Sequence, residues 1–241
     1  MNIENAINKA SFILKKNKIK SPKLDSEILL SKVLKKDREF IILNHQKKIE
    51  KEIFNNFISL IKQRSYGKPV AYLIGKKNFW NYEFEITEGA LVPRPDTELI
   101  IEEVLRLSKN RSKLKILEIG VGSGCVLLTI LDEKKDFYGI GIDISKKCVD
   151  LSKRNALGIG VKERVKLFKS NVDNFNYGKY DLIISNPPYI KKLDLKYLDK
   201  DVINFEPKLA LSGGLDGTSK ISKVINKSSE LIKKKGKLIL E

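Results

Sequence analysis

The stretch that decides the fold is residues 114–124, Leu114-Lys115-Ile116-Leu117-Glu118-Ile119-Gly120-Val121-Gly122-Ser123-Gly124. A short apolar run ends near an acid, breaks into three alternating glycines, and runs from Ser123 into a helical pattern. That order reads as strand, tight turn and helix, because glycines let the backbone turn sharply and approach a ligand that side chains would exclude. Towards the C-terminus, apolar runs recur at 138–142, 165–168, 182–184 and 238–240, separated by helical segments. This rhythm predicts an α/β fold with a parallel sheet and right-handed crossovers. Asp143 falls at the end of the second strand, 25 residues after Glu118, where an acid can accept both hydroxyls of a ribose.

The spacing of the glycines separates nucleotide ligands. A dinucleotide site wants G-x-G-x-x-G, with the pyrophosphate on the helix N-terminus. Here the spacing is G-x-G-x-G, and the carboxylate of Glu118 would repel a pyrophosphate but suit a cationic ligand. A second signal follows the strand 181–185: Asn186-Pro187-Pro188-Tyr189. Two prolines after a central strand stop its ladder and stiffen the backbone, so that their carbonyls point at a set place at the carboxyl end of the sheet.

Working outward to the N-terminus, residues 70–92 alternate aromatic and β-branched positions through Phe79, Trp80, Tyr82, Phe84 and Ile86, which reads as a hairpin. Before it, Ile3, Ala6, Ile7, Ala10 and Ile13 recur at helical spacing, as do Leu24, Ile28, Leu29 and Val33 after Ser21-Pro22, and Ile49, Ile53, Phe57, Leu60 and Ile61. The organisation expected is a helical bundle at 1–68, a β-hairpin linker at 69–92 and the α/β domain at 93–241.

Composition excludes several function classes. With 41% apolar and 32% charged residues the 241-residue chain can bury a real core. No stretch approaches the roughly 18 apolar residues of a membrane helix, and Met1-Asn2-Ile3-Glu4-Asn5 lacks a signal pattern, so a cytoplasmic location is expected. The one histidine, His45, leaves histidine triads and multi-histidine metal sites nothing to work with, and it reads as a packing or surface residue. Cys125 and Cys148 fit neither a disulfide framework nor a CxxC motif and read as buried thiols. The net charge of +17 would favour phosphate backbones. Only seven of the 47 basic residues are arginine, the residue suited to bidentate base readout, which argues against direct nucleic-acid binding.

The acid-and-glycine loop resembles the S-adenosylmethionine site of Rossmann-like methyltransferases, and Asn186 to Tyr189 resembles the tetrapeptide of those that methylate a planar nitrogen, either a glutamine amide or the exocyclic amine of adenine. Three further stretches narrow this: Lys68-Pro69-Val70-Ala71-Tyr72-Leu73-Ile74-Gly75 with Phe79-Trp80, then Glu88 through Val92-Pro93-Arg94-Pro95-Asp96-Thr97-Glu98, and Glu206-Pro207-Lys208-Leu209-Ala210-Leu211 followed by Gly213-Gly214 and Asp216-Gly217. Together they closely resemble the HemK/PrmC family, glutamine N5-methyltransferases of the Gly-Gly-Gln motif of class I peptide chain release factors.

The resemblance implies a helical domain that helps to grip the release factor, a hairpin linker and a Rossmann-like catalytic domain, in an enzyme that works as a monomer with S-adenosylmethionine. Carried over residue by residue, Glu118, Gly120, Val121, Gly122, Ser123, Gly124, Asp143 and Asn186 hold the cofactor, with Asn171 or Val172 over its adenine. Asn186, Pro187, Pro188 and Tyr189 bind the glutamine, with Arg94 at the border, and the catalytic group is Asn186, Pro187 and Tyr189. Thr97 and Glu98 border the site, and Asp96 or Thr97 can also cap the helix that starts there. The chain ends at Lys237-Leu238-Ile239-Leu240-Glu241. Members of the family continue through a further helix and an antiparallel strand pair, so the C-terminal strands are expected to be missing and the fifth strand to be an open edge. The readings to separate from this one are an adenine-N6 DNA or RNA methyltransferase, a ribosomal-protein glutamine methyltransferase and an inactive, truncated remnant.

Overall fold

Five parallel strands form the centre of the larger of two compact units in the computed structural model, which describes residues 1–241. The smaller unit comprises Met1–Gly75 with Asp199–Phe205, and the larger comprises Lys76–Leu198 with Glu206–Glu241.

The smaller unit is helical: α1 (Ile3–Lys16), α2 (Pro22–Leu34), α3 (Arg38–Leu43), α4 (Lys51–Ser65) and α5 (Val70–Ile74). Asn2 accepts the Asn5 N–H at 2.9 Å and starts α1. The stripe Ile3, Ala6, Ile7, Ala10 and Leu14 packs with Leu29, Leu30, Phe57 and Ile61, each fully buried or nearly so. Arg64 is buried with Asp25, their charges 2.7 Å apart, and its guanidinium also donates to the carbonyls of Gly67 and Lys68. Two elements depart from the reading of the sequence. The six residues of α3 are too few to show a period, and Val70–Ile74, expected within the hairpin, is helical. Gly75 ends that helix at φ +82°, its N–H donating to the Ala71 carbonyl.

The larger unit opens with the hairpin β1 (Lys76–Phe79) and β2 (Tyr82–Glu85), in which Phe79 pairs with Tyr82 across Trp80 and Asn81. Trp80 takes φ +55°, as the first central residue of a tight two-residue hairpin turn requires. There follow α6 (Glu98–Leu107), β3 (Lys115–Ile119), α7 (Cys125–Glu133), β4 (Tyr138–Asp143), α8 (Lys146–Ile159), β5 (Val165–Lys169) and β6 (Tyr180–Ser185). Next come α9 (Lys200–Phe205), which belongs to the smaller unit, α10 (Lys208–Leu211), α11 (Ser219–Leu231) and β7 (Ile232–Leu240).

The strand order is β5-β4-β3-β6-β7, all parallel, so every run read from the sequence is a strand and all point the same way. From β3 the chain goes to β4 on one side and later to β6 on the other, which makes their carboxyl ends the switch point of the sheet. β7 is longer than expected and outermost, with the exposed Lys233, Lys234, Lys235 and Lys237 along it, side chains that discourage edge-to-edge pairing. Its register shifts between Tyr180 and Leu182, and Gly236 lies there because a Cβ would come within 3.0 Å of the Tyr180 and Asp181 carbonyls. No helix is long and apolar enough to cross a membrane.

Candidate active site

Sheet register brings the two sequence signals together. Ile119 of β3 pairs with Ile142 of β4 on one side and with Ser185 of β6 on the other. The residues that follow these on the three strands are Gly120, Asp143 and Asn186, so all three lie at the carboxyl end of the sheet. The Ser185 hydroxyl donates to the Ile119 carbonyl at 2.7 Å and ties β6 to β3 at this level.

The glycine loop needs its glycines for conformation. Gly120, Gly122 and Gly124 have φ of +80°, +55° and +83°, values that L side chains adopt only with strain. A Cβ on Gly120 would meet no atom within 4 Å and one on Gly122 only the Gly120 carbonyl at 4.0 Å, so this part of the loop presents bare backbone to open space. At Gly124 a Cβ would strike Leu128, 2.7 Å away, so that glycine serves packing.

Two acids fix the loop. Glu118 is buried and accepts the Leu127 N–H of α7 at 3.1 Å. Burial raises its carboxyl well above the ordinary range, with the neighbouring Asp143 adding to the effect. Asp143 accepts the Gly122 N–H at 2.9 Å and the Ser145 N–H at 2.8 Å, one on each carboxylate oxygen. Each oxygen keeps a further lone pair, so the residue can shape the loop and still accept hydroxyls. Burial raises its carboxyl as well.

Two residues that the sequence did not single out complete the support. On α8, Ser152 donates to the Gly122 carbonyl at 2.8 Å, and Asn155 donates to the Ser123 carbonyl at 2.8 Å. Asn155 also bonds both the N–H and the carbonyl of Glu85, tying the hairpin to the glycine loop. Spaced three apart on α8, they belong to no motif read from the sequence, and only the loop lying against that face reveals them.

The Asn186–Tyr189 tetrapeptide is braced from the chain that follows. The Ile190 N–H donates to the Leu211 carbonyl and the Gly213 N–H to the Ile190 carbonyl, at 3.1 and 2.9 Å. A Cβ on Gly213 would lie 2.8 Å from the Pro188 carbonyl oxygen, and one on Gly217 would lie 2.6 Å from that of Tyr189. Gly213 and Gly217 are thus required by close backbone approach to the tetrapeptide, whereas Gly214, at φ +99°, lies against Ser219. Asn186 is half-buried and donates through Nδ2 to the Thr97 hydroxyl at 3.3 Å, which leaves Oδ1 as the acceptor end. Pro187 is buried, and Tyr189 is 52% exposed.

Of the remaining expectations, Arg94 forms an ion pair with buried Glu206 at 2.6 Å, and Glu206 also accepts the Val92 N–H. Asn171 and Val172 follow β5, whose next residue, Ser170, donates its N–H to the Asp143 carbonyl. Val172 packs on the sheet core, while Asn171 is exposed. Thr97 ends the 3-10 turn Pro95–Thr97 that runs into α6, so its backbone is already helical and it makes no cap bond, and its hydroxyl lies 3.3 Å from Asn186 Nδ2. His45 is exposed in the helical unit. Cys125 and Cys148 are free and buried, with burial pushing their thiols up to about 12 and about 11.

A parallel sheet with an acid-and-glycine loop, a strand-end acid and an Asn-Pro-Pro-Tyr turn at its carboxyl end defines an S-adenosylmethionine-dependent methyltransferase of Rossmann-like fold. Residues 5–75 match the family described as PrmC N-terminal domain, and residues 96–214 match the methyltransferase small domain. The chain is 38% identical over its whole length to a release factor glutamine methyltransferase of Buchnera aphidicola subsp. Baizongia pistaciae, covering 86% of that protein. It is 34% identical, with the same coverage, to the release factor glutamine methyltransferase of Clostridium acetobutylicum. Among solved structures, a SAM-dependent methyltransferase from Geobacter sulfurreducens in complex with S-adenosyl-L-homocysteine aligns at TM-score 0.42 and 16% identity, over 61% of this chain and 47% of that one. The chain belongs to the release factor glutamine methyltransferase family.

Proposed function

We propose that the chain transfers a methyl group from S-adenosylmethionine to the side-chain amide nitrogen, N5, of the glutamine in the Gly-Gly-Gln motif of class I peptide chain release factors. It would do so in the cytoplasm, in support of translation termination. The observation that carries the reading is the rung of Ile119, Ile142 and Ser185, after which the chain continues into Gly120, Asp143 and Asn186, so that the glycine loop, the strand-end acid and the amide all start from the carboxyl end of the sheet. The names of the curated relatives support the choice of release factors as substrate.

Bare backbone at Gly120 and Gly122, with open space where a Cβ would stand, fits a ligand that must approach the main chain closely. Gly120, Val121, Gly122, Ser123 and Gly124 with Asp143 would hold the cofactor, with Asn171 and Val172 beside its adenine. Glu118 beneath the loop supplies a carboxylate suited to a cation. When bound, the cofactor offers a methyl group on a positively charged sulfur.

The lone pair of an amide nitrogen is delocalised into its carbonyl, so the protein's task is geometric. Asn186 Oδ1 and the Pro187 carbonyl each accept one N–H of the glutamine amide, which turns the lone pair toward the methyl group for in-line transfer. The same two dipoles stabilise the positive charge that develops on nitrogen before it releases a proton. Pro188 stiffens the turn, Tyr189 lies on the flat face of the amide and excludes water, and Arg94 borders the entrance.

The test is label transfer from methyl-labelled S-adenosylmethionine, offering a purified release factor, its Gly-Gly-Ala variant, double-stranded DNA and a ribosomal-protein mixture. Label is expected on the release factor with its glutamine intact, and the Asn186→Ala protein should transfer at least about a hundredfold more slowly, the scale for losing positioning and charge stabilisation together. Label on DNA or on a ribosomal protein instead would overturn the reading.

A further inference from the structure

We infer that the backbone ladder beside the tetrapeptide carries a docking surface for the folded body of the methyl-acceptor protein, formed by Leu193, Leu209 and Leu215 with Tyr197. The partner it fits presents apolar side chains and carboxylates next to the loop that bears its glutamine. The inference rests on the reading of Asn186 and Pro187 as the place where that glutamine binds.

Large apolar side chains are costly to leave in water, and a concentration of them outside the core marks a surface that another molecule covers. Leu193, Tyr197, Leu209 and Leu215 are 73%, 76%, 75% and 80% exposed. Three backbone bonds hold the segments that carry them: Ile190 N–H to the Leu211 carbonyl at 3.1 Å, Gly213 N–H to the Ile190 carbonyl at 2.9 Å, and Lys192 N–H to the Gly214 carbonyl at 2.9 Å. Leu193, Leu209 and Leu215 each stand within two residues of one of these bonds, and so does Tyr189 of the tetrapeptide. The surface is thus continuous with the site, and a protein whose glutamine reaches Asn186 and Pro187 brings its own surface up to this ladder.

Charge and side-chain type define the partner. Lys191, Lys192, Lys196 and Lys208 are exposed among the apolar tips. Of the acids in residues 189–198 and 206–217, Glu206 is buried against Arg94, and Asp216 is held by the Thr218 N–H and hydroxyl at 2.9 and 2.7 Å. Asp194 is left against four cations, an excess that carboxylates on the partner complement. A nucleic acid is gripped by bases stacked on aromatic rings and by arginine forks. Here three of the four exposed apolar side chains are leucine, and the stretch has no arginine, which fits a protein surface.

The experiment compares the wild-type protein with the double variant Leu193→Asp, Leu215→Asp. Both side chains point into solvent, so the thermal midpoint should not move, and the dissociation constant for S-adenosylmethionine should stay within about twofold. On a purified release factor, KM should rise about tenfold or more with kcat within about twofold, as the loss of a contact made equally before and in the transition state requires. On a short peptide spanning Gly-Gly-Gln, which does not extend over the surface, variant and wild type should agree within about twofold. The wild-type kcat/KM on that peptide should be at least about tenfold below its value on the intact protein.

A double variant with wild-type KM on the release factor, a loss repeated on the peptide, or equal wild-type kcat/KM on peptide and protein would overturn the inference. So would a wild-type dimer that becomes monomeric in the variant, which would assign the surface to a second copy of the chain. Should the wild-type protein label a different protein, the substrate reading fails alone, and the KM ratio is taken on that acceptor; label on nucleic acid overturns both. With no acceptor labelled, calorimetric binding of the release factor in the presence of S-adenosylhomocysteine decides, and equal affinity in the two proteins, or none in either, overturns the inference.

Discussion

Glu118 illustrates at the scale of one residue how a site can be set against stability. Burial lifts its carboxyl above the value it has in the unfolded chain, so over that interval the folded protein holds a proton that the unfolded protein has released. Its contribution to stability is complete below the unfolded value, near pH 4.3, and declines as pH rises through the folded value. Glu118→Gln removes this dependence. The variant should be more stable than wild type at pH 8 and close to it at pH 5, each kcal/mol appearing as about 2–4 °C in Tm for a chain of this size. Calorimetric scans across that range check it; a variant less stable than wild type at pH 8 would show that the buried charge is not the cost. Above the folded value, where the carboxylate is charged, the same substitution should weaken S-adenosylmethionine binding, because a neutral amide does not attract a cation. The places of Glu118 on β3, Asp143 at the end of β4 and Asn186 after β6 were legible in the sequence, since each sits in a motif whose spacing is local. Thr97 was legible as a neighbour of the site but was read as a possible cap, because the partner that claims its hydroxyl lies 89 residues away.

Between elements, the decisive contacts are those of backbone on backbone. Gly213 lets the segment after α10 lie against the tetrapeptide: a Cβ there would come 2.3 Å from the Gly217 carbonyl oxygen and 2.8 Å from that of Pro188. Neither obstacle is a side chain that can swing aside. Gly213→Ala should therefore displace the Pro187–Pro188 carbonyls, lowering kcat on the order of tenfold or more, as misplacement of reacting groups does. Cofactor affinity should stay within about threefold, because the glycine loop hangs on β3 and α8. Methyl-transfer kinetics alongside calorimetric binding separate the two, and equal losses in both would mean that the whole site had collapsed. The sequence showed Gly213 and Gly217 only as matches to a pattern; the reason for them is a contact with residues about 25 positions earlier. The five strands were readable as apolar runs, but α3 and α5 were not, because five or six residues carry too few turns for a helical period and their caps decide them instead.

In the molecule as a whole, the helical unit contains the costliest polar pair. Arg64 and Asp25 are 8% and 6% exposed at 2.7 Å, and Asp201 of the returning segment Asp199–Phe205 lies 3.6 Å from the same guanidinium. Removing one member leaves an uncompensated buried charge, so Arg64→Met should cost about 3–5 kcal/mol, and adding Asp25→Leu should recover most of it. Chemical denaturation of the three proteins tests this, and a double variant no better than the single one would mean that the Gly67 and Lys68 carbonyls, rather than Asp25, are what Arg64 serves. Local spacing alone settled the α/β class, the glycine loop, the strand-end acid and the Asn-Pro-Pro-Tyr turn, because each depends on residues within one strand–turn–helix unit. Strand order, the rung of Ile119, Ile142 and Ser185 from which Gly120, Asp143 and Asn186 follow, the α8 support at Ser152 and Asn155, and the pairing of Thr97 with Asn186 were decided by tertiary structure. Those features join residues up to 89 positions apart, and such distances close only when parallel strands pair in register and bury their apolar faces together.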